Sequence, residues 1–83
     1  MGDQVLCYVD AMGFNQKVQF PDGTEEYFPT EDLAATLVTA CAHRNFHKVH
    51  LFGHEGFITE IKSDMEKYHN SKYAVSTLEI EVN

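Results

Sequence analysis

The order in which hydrophobic periods change along the chain constrains its fold more than any single residue does. Three short strand-like runs come first, then a helical stripe, a short apolar strand, a second helical stripe and a final alternating strand, all within 83 residues. Val5-Leu6-Cys7-Tyr8-Val9 is apolar at every position, which predicts a strand buried on both faces in the middle of a sheet covered by helices. It ends at Asp10-Ala11-Met12-Gly13, where glycine permits a turn. Residues 17–20 and 25–28 flank Pro21-Asp22-Gly23, a type I turn signal with glycine at a left-handed position, and predict an antiparallel hairpin.

Pro29-Thr30 stops the third strand. Thr30 is placed to cap the next helix, with Glu31 and Asp32 in the first turn, where negative charge is favoured. Leu33, Ala34, Leu37, Val38 and Cys41 form the first helical stripe, expected to end near Phe46 with Arg44, His47 and Lys48 at the negative end of the dipole. Val49-His50-Leu51-Phe52 reads as a strand closed by Gly53. Phe57, Ile58, Ile61, Met65 and Tyr68 define a second amphipathic helix ending near Asn70. Over residues 75–83, Leu78, Ile80 and Val82 alternate with Thr77, Glu79, Glu81 and Asn83, the pattern of an edge strand with one wet face.

Parallel strands joined by a helix cross over right-handedly, and both helices need an apolar sheet to lie on. The expected fold is therefore a single α/β domain over residues 1–83, βββαβαβ, with a mixed five-stranded sheet of order 3-2-1-4-5 and two helices. A chain of this length buries only roughly 60–65% of its unfolded surface, so one small core and no deep internal pocket are expected. The start, Met1-Gly2-Asp3-Gln4, has no basic targeting region, and no apolar run approaches the roughly 18 residues that span a bilayer. A cytoplasmic protein without membrane contact is expected. Cys7 and Cys41 fall in apolar stripes, where a free cysteine packs as a small hydrophobe.

The formal net charge is −7 and unevenly spread. No Lys or Arg occurs between Lys17 and Arg44, while Asp22, Glu25, Glu26, Glu31 and Asp32 cluster there. Such a surface repels nucleic acid phosphates and suits a basic protein partner; a solvated acidic face has the same composition. In an open mixed sheet, ligands bind beyond the carboxyl ends of the strands. That rule selects Asp10 and Gly13 beside Gly53, His54, Glu55 and Gly56, where backbone N–H groups at a helix start suit an anion and two glycines equally suit a tight connection. His43 and His47, four residues apart, suit a divalent metal if the helix continues that far, or otherwise serve as cations at its end. Neither a P-loop nor a GxGxxG occurs, and no cofactor is expected.

The element order resembles the ribonuclease H-like fold, which the repeats of actin-like ATPases share, over nearly the whole chain. Nucleases of that fold hold a metal-binding carboxylate at the end of the first strand, so the resemblance implies a small metal-dependent nuclease centred on Asp10, with Glu55 or Glu31 as a second carboxylate. Two-metal chemistry needs several carboxylates converging on cations about 4 Å apart, and the fourth strand here ends in Phe52-Gly53 rather than an acid. Tyr8-Val9-Asp10, Val49-His50-Leu51-Phe52-Gly53 and Leu78-Glu79-Ile80-Glu81-Val82-Asn83 resemble small accessory proteins encoded by bacteriophages. That likeness implies a host cytoplasm and a role in binding or inhibiting a host component. The function expected is a non-enzymatic protein-binding module acting through the acidic surface or a sheet edge, with a homodimer through Leu78, Ile80 and Val82 as one form of it.

Overall fold

A computed structural model describes residues 3–83; Met1 and Gly2, which open the segment read for a targeting signal, lie outside the described residues. The elements are β1 (Val5–Tyr8), β2 (Asn15–Gln19), β3 (Glu25–Pro29), α1 (Leu33–Arg44), β4 (Lys48–Phe52), α2 (Glu55–Lys72) and β5 (Glu79–Val82). The strands form one sheet in the order β3-β2-β1-β4-β5. β2 pairs antiparallel with β1 and β3, whereas β4 pairs parallel with β1 and β5. The architecture is the expected α/β domain, and among the described residues no helix is long and apolar enough to cross a membrane.

Both helical crossovers travel the same way along the sheet. The first leaves β3, passes β2 and β1 and enters β4; the second carries β4 on to β5. Right-handed crossovers that travel in one direction lie on one face of the sheet. Burial follows that rule. Val5, Cys7, Val18, Phe28, Val49, Leu51 and Ile80 turn toward the helices and are buried with Leu37, Val38, Cys41, Ile58 and Met65. Leu6, on the opposite face of β1, is only half-buried, and Tyr8 is 41% exposed. The expectation that the first strand is covered on both faces is thereby corrected, because α1 and α2 both lie on the same face of the sheet.

The element ends differ from the sequence reading for local reasons. Thr30 does not cap α1: its hydroxyl donates to the Gly13 carbonyl (2.8 Å) and accepts from Gln16 Nε2 (2.7 Å), so the helix starts later, at Leu33, with Glu31 and Asp32 ahead of its first turn. α1 stops at Arg44 because Asn45 takes the left-handed conformation (φ 60°, ψ 39°) and Phe46 N–H closes on the Cys41 carbonyl (3.0 Å). α2 runs past Asn70 to Lys72, with Tyr73 N–H on the His69 carbonyl (2.7 Å). The last strand does not begin at Val75, since a turn joining Ser76 N–H to the Tyr73 carbonyl (3.0 Å) occupies that segment. In the β2–β3 hairpin, Gly23 takes the left-handed position (φ 93°) and its N–H reaches the Phe20 carbonyl (2.9 Å).

Leu37 is fully buried and Ile61 nearly so, on the inner stripes of the two helices. Truncating either to Ala should lower the unfolding free energy by about 2–4 kcal/mol through lost transfer energy and a residual cavity. Urea unfolding measures this, and a loss below about 0.5 kcal/mol would place that side chain outside the core.

Candidate functional site

The carboxyl ends of β1 and β4 do lie together: Val9 N–H donates to the Phe52 carbonyl at 2.7 Å, which sets Asp10 and Gly53 at the same end of the sheet. The turn after β1 is held by a side chain that the sequence reading passed over. Gln16 on β2 is 1% exposed. Its Oε1 accepts from Asp10 N–H (2.7 Å), and its Nε2 donates to the Asp10 carbonyl (2.8 Å) and to Thr30 Oγ1 (2.7 Å). The Asp10 carboxylate accepts from Met12 N–H (3.0 Å), the local closure expected of an aspartate opening a turn. Gly53 has φ +153°, and a Cβ there would meet the Val9 carbonyl oxygen at 2.6 Å. These two glycine and glutamine devices account for the geometry of the strand ends.

On the helix side of that end, His54 is the N-cap residue of α2 but makes no side-chain cap bond, and Glu55 supplies the negative charge favoured in the first turn. Gly13 closes the first turn through its N–H on the Asp10 carbonyl (2.9 Å), and Gly56 lies inside the start of α2. Among the described residues, no group of three or more His, Cys, Asp or Glu side chains is placed to hold a metal. His43 and His47 do not share a helix face, because α1 ends between them; His47 Nδ1 instead lies 3.2 Å from the Thr77 carbonyl. Burial pushes the Cys7 and Cys41 thiols up to about 12, which removes both as thiolate nucleophiles near neutral pH.

The acidic residues are not one patch. Strand alternation sends Glu25 to the uncovered face of β3 and Glu26 to the helix side. The two cations that bracket the acidic span in sequence return to it in space: Lys17 Nζ lies 3.8 Å from Glu25, and Arg44 lies 2.7 Å from Glu26 while its guanidinium covers the Phe20 ring at 4.2 Å. Asp22 sits in the hairpin loop, where the hydroxyl and N–H of Thr24 hold its carboxyl below the usual carboxylate range. Glu31 and Asp32 border a groove between α1 and α2 with Glu60 and Asp64.

The uncovered sheet face is the surface that sequence reasoning missed. Register brings Tyr27, Lys17, Tyr8 and Phe52 into one row across β3, β2, β1 and β4, and Glu25, Gln19, Leu6, His50 and Glu81 into the next. Tyr8 and Phe52 stack at 5.2 Å, and His50 stacks on Phe52 at 4.2 Å. His50 Nδ1 is 3.5 Å from Glu81, while its enclosed Nε2 has no hydrogen-bond partner. Tyr27 is 67% exposed. Met12 and Phe14, in the loop at the same end of the sheet, are each 89% exposed. On this face the charged residues of the outermost strands are all acids, Glu25 on β3 and Glu79 and Glu81 on β5. The sequence signal was present in the shared direction of the two crossovers and in the placement of tyrosine and phenylalanine at alternate positions.

Comparison with protein-family models, with curated proteins and with solved structures finds no match for this chain.

Gln16→Leu should cost about 1–3 kcal/mol, since it strands the Asp10 peptide groups and the Thr30 hydroxyl without their partner. Gly53→Ala should cost about 1–3 kcal/mol through backbone displacement at Val9. Thermal and urea unfolding read both, and an unchanged midpoint for Gly53→Ala would show that β1 and β4 separate freely at that end.

Proposed function

We propose that the chain is a non-enzymatic protein-binding module whose contact surface is the uncovered face of the sheet, and that its partner has an apolar centre with basic borders. The observation that carries this reading is the aromatic row of Tyr27, Tyr8 and Phe52, interrupted by Lys17 between the two tyrosines, with Met12 and Phe14 exposed in the loop at the same end of the sheet. Exposed apolar surface of this kind marks interaction sites on small soluble domains. Tyrosine and phenylalanine bring large contact area at low entropic cost, and they dominate the energetics of interface centres.

Charge selects among occupants. Stacking faces also suit single-stranded nucleic acid, but Glu25, Glu79 and Glu81 border this one on both sides in a chain of net charge −7, and phosphates are repelled by such borders. A basic border on a protein partner complements them. The ion pairs that these acids make with Lys17 and Lys48 are solvent-exposed and cost little to exchange. An inhibitor or modulator of a host component, as the bacteriophage resemblance implies, is one form of such a module. The nuclease reading centred on Asp10 and Glu55 lacks a comparable supporting observation.

The test pairs capture with crosslinking. A photoreactive amino acid at position 27 should crosslink a defined protein partner in cells, and Tyr8→Ser with Tyr27→Ser should weaken that complex by about tenfold or more while unfolding changes by less than about 1 kcal/mol. Reversal of Glu31 and Asp32 to Lys should leave it nearly unchanged. Undiminished binding by the tyrosine double variant, a second copy of this chain as the crosslinked species, or divalent-metal-dependent cleavage of nucleic acid lost in Asp10→Asn would each overturn the reading.

A further inference from the structure

A recess of about 410 Å³ opens on the helical side of the molecule, between the last turns of α1 and α2 and the connection into β5. Its volume falls within the range of about 300–1,000 Å³ typical of small-molecule sites. Val38, Cys41, Phe46 and Leu78 contribute apolar lining, and Val75 stands fully exposed at its border. The polar lining has one charge character: Lys72 with His43, His47 and His69. Among the described residues no Asp or Glu lines the recess, although the chain has 13 of them and a net charge of −7.

The hydrogen bonds leave this rim free to meet an anion. Lys72 makes no ion pair among the described residues. His47 Nδ1 faces the Thr77 carbonyl, which only accepts, so Nδ1 carries the hydrogen and Nε2 is a lone pair that becomes a donor when the ring gains a second proton. His69 Nε2 lies 3.2 Å from Ser76 Oγ, and that contact accommodates either protonation state. Helix C-termini disfavour anions, and in these last turns the Cys41 carbonyl accepts from Phe46 N–H and the His69 carbonyl from Tyr73 N–H.

We propose that this recess binds a small amphiphilic carboxylate, with its apolar body against Phe46 and Leu78, which overlie buried Val38 and Cys41, and its carboxylate among Lys72 and the three imidazoles. The site is separate from the sheet face, so either proposal stands without the other. The basic residues lining it are His43 from α1, His47 from the α1–β4 connection, and His69 and Lys72 from α2.

Octanoate is the probe, titrated into the isotope-labelled chain while imidazole signals and the Val75 and Leu78 methyl signals are followed by NMR, with octan-1-ol in parallel. Octanoate should produce saturable shifts at these residues and bind at least about fivefold more tightly than the alcohol, a difference of roughly 1 kcal/mol. Lys72→Gln should remove most of that preference, and Val75→Asp, at a fully exposed position that folding tolerates, should weaken octanoate by about fivefold while sparing the alcohol. Equal affinity for acid and alcohol, shifts centred on Tyr8 and Phe52, or no saturable shift would overturn the proposal.

Discussion

Two crossovers that run in one direction determine most of what this molecule presents to solvent. Each must be right-handed to bring its helix onto the sheet, and both advance from β3 toward β5, so both helices arrive on one side. The consequence is a two-layer domain with an asymmetric sheet. One face carries Val5, Cys7, Val18, Val49 and Leu51 against the helices, and the other carries Leu6, Tyr8, Lys17, His50 and Phe52 toward water. The aromatic strip is thus a product of topology as much as of composition.

Much of that architecture was legible in the sequence, because each element carries its own period and its own punctuation. The 3.6-residue stripe through Leu33, Leu37 and Cys41, the Pro21-Asp22-Gly23 turn and the Gly53 break each act locally, and their order leaves few topologies. The misreadings came where a non-local partner overrode a local preference. Thr30 has the chemistry of a cap, but Gln16 and Gly13 compete for its hydroxyl from two other parts of the chain. Val75 has the character of a strand residue, but the turn closed by Ser76 on Tyr73 removes it from the sheet.

The candidate sites were less legible for a related reason. An acidic run without intervening cations reads as one surface, yet β3 distributes Glu25 and Glu26 to opposite faces, and Lys17 and Arg44 return to them from either end of the run. The apolar run through β1 reads as doubly buried, and only the direction of travel of both crossovers shows that one side stays bare. Gln16 carried no signal at all: a glutamine between Asn15 and Lys17 looks like surface, and its burial depends on the turn that it closes.

The register of β1 also sets an order of events during folding. Its antiparallel partner β2 is close by in sequence, so the β1–β2–β3 meander closes short loops and can form within microseconds. Its parallel partner is distant: Val5 pairs with Val49 only after the whole of α1 lies between them. Closing that loop costs chain entropy that no nearby contact offsets. During synthesis the centre of the sheet therefore emerges with its future core face, Val5, Cys7 and Val18, open to water until α1 and β4 are complete. For that interval the meander has no helix on either face.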